Sequence, residues 1–229
     1  MPPPSSLVVA IDGPSGSGKS TVARRVAVAL GLRYLDTGAM YRALTWWLLD
    51  QGVDLTDEAR VAELARDLPL SMGTDPRRPT VHVGGTDVAA AIRETRISAA
   101  VSTVATNLGV RAELVARQRA VVADGGVVVE GRDITTVVAP RAPVRVLLTA
   151  AESTRLQRRA RDVHGAADAA AVAATRDEVL RRDADDATVA SFLEAADGVD
   201  VVDSSELSLD EAVAAVLDLV EQRVGVTPA

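Results

Sequence analysis

The sequence predicts an α/β fold in which a parallel sheet is covered by helices. Short β-branched runs alternate with helical stretches along the chain, the order that builds βαβ units. Several of these runs, such as Val127-Val128-Val129 and Val144 to Leu148, are apolar almost throughout, as strands buried on both faces are. The first run also passes through a glycine-rich turn straight into a helical pattern. A chain of 229 residues with 48% hydrophobic and 25% charged side chains is sufficient for one globular domain with a modest insertion.

Leu7 to Ile11 is a buried strand ending in Asp12-Gly13-Pro14-Ser15-Gly16-Ser17-Gly18. From Lys19 to Leu30 the apolar positions Val22, Val26, Ala29 and Leu30 lie opposite Arg24 and Arg25, and Gly31 stands where a C-terminal cap is wanted, so this stretch is a helix. Leu32 to Leu35 is a brief strand, Asp36-Thr37-Gly38 a turn, Ala39 to Leu49 a helix closed by Gln51-Gly52, and Asp57 to Asp67 a further helix. Leu68 to Met72, Thr80 to Val83 and Thr86 to Val88 read as a small antiparallel meander with a Gly84-Gly85 turn. Ala89 to Ala123 is helical in two pieces broken near Asn107-Leu108-Gly109. The valine strands at 127–129 and 144–148 lead into Glu130-Gly131-Arg132-Asp133 and into an arginine-rich helix over Glu152 to Arg161. An alanine-rich stretch, Gly165 to Ala174, precedes a helix over Thr175 to Arg182, and the chain closes with strand Val199 to Val202 and helix Leu209 to Arg223. Ligands of such sheets sit at the carboxyl ends of the strands.

Composition excludes several classes of function. There is no cysteine, hence no disulfide framework, thiolate metal site or cysteine nucleophile, and His82 and His164 are the only histidines. A net charge of −7 argues against holding duplex nucleic acid by phosphate neutralisation. A nucleic-acid motor also lacks a stacking platform here, since Tyr34, Tyr41, Trp46, Trp47 and Phe192 are the only aromatic residues. No apolar run approaches the roughly 18 residues that span a bilayer, and the segment from Met1 lacks the features of a secretory signal. The expected setting is the cytoplasm, with neither membrane nor nucleic acid as partner, and the expected state is a monomer.

Gly13-Pro14-Ser15-Gly16-Ser17-Gly18-Lys19-Ser20 fits G-x-x-x-x-G-K-[ST] between the strand and helix that this motif requires. Backbone N–H groups freed by the glycines cradle phosphate oxygens, Lys19 meets the β/γ-phosphates, and the Ser20 hydroxyl can ligate Mg²⁺. Accidental matches in a chain of this composition are expected on the order of once in a thousand. Lys19 is the sole lysine, so the [NT]-K-x-D motif of a guanine-specific GTPase cannot occur. A small chain with such a loop is read as a metabolite kinase that takes ATP with Mg²⁺.

Three clusters bear on the second substrate. Asp36 to Arg42 places a carboxylate, a hydroxyl, a phenol and a guanidinium after the second strand, although the same residues suit an ordinary turn and helix start. Arg132 and Asp133 can together read a base edge or form a surface salt bridge. Arg155, Arg158 and Arg159 share most of one helix face, with Arg181-Arg182-Asp183 after a loop; they are either a solvated face or clamps of a lid over a migrating phosphoryl group.

The segments GPSGSGKST (Gly13 to Thr21), DTGAMYR (Asp36 to Arg42), Gly131-Arg132-Asp133 with Thr135 to Pro140, Arg155-x-x-Arg158-Arg159 and Arg182-Asp183-x-x-Asp186 together resemble the bacterial cytidylate kinases, a branch of the nucleoside monophosphate kinases. The likeness runs in order from about Leu7 to Arg223, and Gly131-Arg132-Asp133 with the insertion around Pro69 to Arg93 separates it from adenylate and guanylate kinases. It implies a P-loop kinase fold in which a parallel β-sheet core (about 5–38 and 100–223) carries an NMP-binding insertion (about 39–99) and a short helical lid (about 155–183). It also implies phosphoryl transfer from ATP to CMP or dCMP. Carried over by position, Thr37, Tyr41 and Arg42 line the acceptor pocket, Ser102 and Asp133 meet the cytosine amine, Arg132 holds the ring edge and Arg111 faces the monophosphate. Arg182 and Asp186 meet the sugar and phosphate end; Arg155, Arg158 and Arg159 belong to the lid; Lys19, Arg182 and the lid arginines form the catalytic set. A kinase of another small metabolite, such as a sugar acid, is the alternative. One departure stands out: the family's second arginine after Asp186 is Val189 here, and its Pro-Leu a few residues on is Phe192-Leu193.

Overall fold

The computed structural model describes residues 6–226; the Met1 to Ser5 stretch read above for a leader lies outside them. A five-stranded sheet forms the centre, in the order β2-β6-β1-β7-β8, with β1 Val8–Asp12, β2 Arg33–Asp36, β6 Val127–Gly131, β7 Val144–Thr149 and β8 Asp200–Asp203. All neighbours are parallel. The pleat of β1 sends Val8 and Ala10 to one apolar cluster and Leu7, Val9 and Ile11 to the other, which is why the sequence shows no polar alternation there.

Helices α1 (Lys19–Leu30) and α8 (Leu209–Val224) cover one face, with Val22, Val26, Val216 and Val220 buried against the sheet. The other face holds α2 (Thr37–Asp50), α3 (Glu58–Asp67), α4 (Thr95–Ala105) and α5 (Leu108–Ala123). Asn107 separates the last two: its Oδ1 accepts from the N–H groups of Gly109 and Val110, the break expected at Asn107 to Gly109. The meander is present as β3 (Leu70–Met72), β4 (Val81–Val83) and β5 (Thr86–Asp87), antiparallel and in that order. It is followed by a 3-10 turn, Ala91–Arg93.

Two local readings change. Asp36-Thr37-Gly38 is no free turn, because Asp36 caps α2 by accepting from Ala39 N–H at 2.8 Å and the helix starts at Thr37. The alanine-rich stretch is helical from Ala169: Asp168 caps it and the helix runs unbroken as α7, Ala169–Ala187, as a run of the best helix former should. Arg181-Arg182-Asp183 lies within this helix, which packs on α6 (Glu152–His164).

Candidate active site

Parallel register brings the functional segments to one sheet edge. Asp12 pairs with Gly131 and Asp36 with Glu130, so the phosphate loop, the Arg132-Asp133 segment and the Asp36 to Arg42 segment leave adjacent strands side by side. Asp12 is buried and fixes two of them to each other. Its Oδ1 accepts from Ile134 N–H at 2.9 Å, and its Oδ2 from Thr135 N–H at 2.8 Å and Thr135 Oγ1 at 2.6 Å. These bonds cap the π-helical turn Ile134–Val138. Burial pushes the Asp12 carboxyl up to about 6 even though the same bonds pull it down.

The phosphate loop, residues 13–18, turns into α1 at Lys19. Gly16 has φ of 76°, and a Cβ there would lie 2.5 Å from the Arg155 carbonyl oxygen, so both its backbone and its packing demand glycine. Lys19 Nζ donates to the Pro14 carbonyl at 3.2 Å. Burial holds the ammonium down at about 8, helped by Arg132 and Arg182 and opposed by Glu130. Ser20 Oγ and Tyr34 OH donate to Glu130 Oε1 at 2.7 and 3.2 Å, and Thr37 Oγ1 donates to the Glu130 carbonyl at 2.8 Å. Glu130 is pushed up to about 7 by burial and by Asp36. Burial also works on Asp36, but Arg42, donating to its Oδ2 at 2.9 Å, holds that carboxyl below its usual range.

A cleft of about 260 Å³ opens from this loop and reaches between α4, α7 and the Arg132-Asp133 segment. Its wall carries Lys19, Arg42, Arg93, Arg111, Arg132, Arg159 and Arg182 against Asp36, Glu130, Asp133, Asp162 and Asp186. This excess of cations suits anionic ligands. At one end Arg111 is ion-paired to the buried Asp133, beside Tyr41, whose hydroxyl burial and Asp133 push up to about 12. Burial raises the Asp133 carboxyl while Arg111 opposes the rise. Arg132, expected beside Asp133, points elsewhere. It donates to Asp183 Oδ1 at 3.1 Å, pairs with Asp186 and lies 4.9 Å over the Phe192 ring. Burial brings its guanidinium down to about 10.

The sequence-selected arginines divide between two positions. Arg159 and Arg182 line the cleft; burial and the neighbouring Arg132 hold Arg182 well below the usual arginine range. Arg155 is buried and donates to the Ser15 carbonyl at 2.9 Å and to Asp183 at 2.5 Å. Arg158 donates to the carbonyls of Ser17 and Ser204 at 3.3 and 2.7 Å. Both therefore brace the phosphate loop from behind. Thr37, Tyr41, Arg42 and Asp186, selected from the sequence, lie on the cleft wall. Ser102 is buried on α4, one residue past the lining Val101, and is not itself on the wall. Sequence reasoning missed Arg93, Glu130 and Gln118, the last fully buried on α5 near the Tyr41 phenol.

No group of three or more His, Asp and Glu side chains suited to a metal occurs among the described residues. The Ser20 hydroxyl, with the Glu130 carboxylate 2.7 Å from it, still fits Mg²⁺. That ion takes most of its oxygen ligands from phosphates and water, with few from protein.

A phosphate loop at the carboxyl edge of a parallel sheet, facing a cationic cleft roofed by an arginine-bearing helix pair, defines a P-loop phosphotransferase for small substrates. The cytidylate kinase family model matches residues 9–222, and the chain belongs to that family. It is 50% identical over 218 residues to the cytidylate kinase of Cutibacterium acnes, covering 94% of this chain and 96% of that one. Identity is 48% over 225 residues to that of Nocardia farcinica, covering 95% of each chain. It is 44% over 221 residues to that of Streptomyces avermitilis, covering 95% and 94%. Among the described residues no helix is long and apolar enough to cross a membrane.

Proposed function

We propose that the protein transfers the γ-phosphoryl group of ATP to CMP or dCMP, giving ADP and the cytidine diphosphate. The observation that supports it best is the buried Arg111–Asp133 pair on the wall of the cleft that the phosphate loop also lines. Cytosine offers an amine donor beside the acceptors N3 and O2. A carboxylate next to a guanidinium is its complement, whereas uracil would turn O4 toward Asp133 and N3–H toward Arg111. In this reading Asp133 accepts from the amine, and the two arginines exchange the roles expected from the sequence: Arg111, expected at the monophosphate, reads N3 and O2 because it is the partner of Asp133, and Arg132, expected at the ring edge, is drawn away by Asp183 and Asp186. Arg132 works at the phosphate end, where it lies close enough to Lys19 and Arg182 to lower both their basicities.

Lys19 and the N–H groups of residues 13–20 hold the β- and γ-phosphates of ATP, while Arg42, Arg132, Arg159 and Arg182 surround the migrating group. An oxygen of the CMP phosphate attacks the γ-phosphorus in line; the new P–O bond forms as the bond to the β,γ-bridging oxygen breaks and ADP leaves. No side chain forms a covalent bond. The arginines and Lys19 stabilise charge spread over the transferring oxygens. Mg²⁺, held through Ser20, would neutralise the β- and γ-phosphate oxygens. The core, the insertion at about 39–99 and the lid at about 155–183 are proposed to move as separate parts. The protein is read as a cytoplasmic monomer.

A coupled ADP assay with CMP, dCMP, UMP, AMP and a sugar acid tests the reading. CMP and dCMP are expected to exceed the others in kcat/KM. Equal turnover of UMP or AMP would remove the role given to Arg111 and Asp133, and turnover of the sugar acid alone would establish the alternative kinase.

A further inference from the structure

Buried polar atoms without a hydrogen-bond partner lie together beside the Arg111–Asp133 pair. Gln118 on α5 is fully buried, and neither its Nε2 nor its Oε1 is hydrogen-bonded among the described residues. The Tyr41 hydroxyl is in the same condition. Gln118 follows Arg111 by about two helical turns, so both side chains lie on one face of α5, with the buried Leu114 between them. Tyr41, on α2, faces all of these groups: burial and Asp133 push its hydroxyl up, while Arg111 and the Gln118 amide oppose the rise. An apolar side chain of the same length would fill the position of Gln118 without the cost of burying an unsatisfied amide. The amide therefore has its use in the cleft that Tyr41 lines.

We propose that Gln118 is a positioning residue for recognition of the acceptor base: its amide donates to the Tyr41 hydroxyl, which donates in turn to Asp133 and fixes the plane of that carboxylate. The proposal rests on the reading of the cleft as a cytidine monophosphate site. A phenolic hydroxyl both accepts and donates. With Gln118 filling its lone pair, the hydroxyl proton is directed to the neighbouring carboxylate instead of turning freely. Asp133 is then held from two sides, by Arg111 and by Tyr41, and presents its remaining lone pairs to the cytosine amine. Each donor in such a chain polarises the next. In the free protein the bonds to Gln118 and Tyr41 are open, and they close when a base enters, as contacts at such sites tighten in the substrate complex. Gln118 acts only through Tyr41, because it is absent from the cleft wall.

The test is a double-mutant cycle of Gln118→Met and Tyr41→Phe in the full chain, read by calorimetric binding of CMP, UMP and ATP and by thermal unfolding. Gln118→Met removes unsatisfied buried atoms at similar length, so its Tm is expected to equal or exceed that of the unaltered protein. Its Kd for CMP should rise about fivefold, the size of one net hydrogen bond, with UMP changed less and ATP within twofold. Tyr41→Phe should show a similar loss, and adding Gln118→Met to it should change CMP binding less than twofold. Equal losses from Gln118→Met in both backgrounds would overturn the proposal, as would a fall in Tm with matching losses for CMP and ATP, which marks a structural role alone. CMP affinity within twofold of the unaltered protein in either single variant would overturn it too. If the unaltered protein failed to bind CMP, the functional reading would fall first and this assignment with it.

Discussion

The Asp183 carboxylate accepts a hydrogen bond from the Ser15 backbone N–H at 3.0 Å, so a residue of α7 fixes the phosphate loop at the other end of the chain. The contact closes a ring. Arg155 donates both to the Ser15 carbonyl and to Asp183 Oδ2, while Arg132 donates to Asp183 Oδ1. One carboxylate thereby joins the phosphate loop, the segment proposed to hold CMP, and the two helices α6 and α7 proposed to form a lid. The geometry of the loop then depends on where α6 and α7 sit, so closure of the proposed lid would be felt at the phosphate loop.

Truncation of Asp183 should therefore cost more than one contact. Asp183→Ala leaves Arg155 buried without its carboxylate, a situation that typically costs about 3–5 kcal/mol. Thermal unfolding is expected at clearly lower temperature, and the KM for ATP should rise because Ser15 and Gly16 lose their brace. A double-mutant cycle with Arg155→Ala should show strong coupling. Additive effects would mean that the two side chains stabilise the fold independently.

The depressed basicity of Lys19 gives a pH prediction with a definite sign. The triphosphate binds the ammonium form, and the free protein holds this group at about 8. ATP affinity should thus fall as pH rises above about 8, approaching tenfold per unit, and binding near pH 8.5 should take up a proton, visible as a buffer-dependent heat. Lys19→Arg should flatten the profile. For the folded protein without ligand the linkage runs the other way. Between about 8 and the ordinary lysine value near 10.5 the unfolded chain binds more protons, so this group makes stability rise with pH across that window. A flat ATP affinity from pH 7 to 9.5 in the unaltered protein would contradict the assignment.

Much of this was legible in the sequence where the determinants are local. The strand, phosphate loop and α1 follow one another without a gap, and their glycines and apolar spacing need no distant partner. Asp12, Glu130 and Asp183 were hidden because their roles are made by partners 122, 110 and 168 residues away. Arg132 and Asp133 are neighbours in sequence and were read as a pair, yet adjacent residues leaving a strand diverge. One meets Asp183 and the other Arg111. The alanine run has no polar periodicity to mark it as helical; its helix is set by the Asp168 cap and by propensity.

Asp133→Ala should lose discrimination between bases more than donor binding. The expected result is a fall of about tenfold or more in kcat/KM for CMP, the size of one hydrogen bond to a charged group, a smaller change for UMP, and an ATP KM within twofold. Asp133→Asn retains an oxygen acceptor for the amine but not the charge that holds Arg111, so it should fall between the two. Unchanged CMP turnover together with collapsed ATP affinity would place Asp133 with the donor.

Val189 occupies the position where the family pattern carries a second arginine. It is half-buried just past α7, its N–H donates to the Asp186 carbonyl at 3.2 Å, and its neighbour Ala190 lines the cleft. Arg181 does not replace the missing cation: it is exposed, pairs with Asp185 at 3.6 Å and is absent from the cleft wall. The position of the Pro-Leu pair is explained separately, because the buried Phe192 lies under the Arg132 guanidinium. A side chain grown from residue 189 would thus start next to the cleft wall that carries Ala190, Arg132 and Arg182, the proposed phosphate end. One charge-assisted hydrogen bond there is worth about 1.5–3 kcal/mol. Val189→Arg is accordingly expected to lower the KM for CMP by about tenfold while leaving the KM for ATP and the preference for cytosine unchanged, and Arg181→Ala should be silent. Weaker CMP binding in Val189→Arg, combined with loss of CMP binding in Arg181→Ala, would show instead that Arg181 swings inward when substrate is bound.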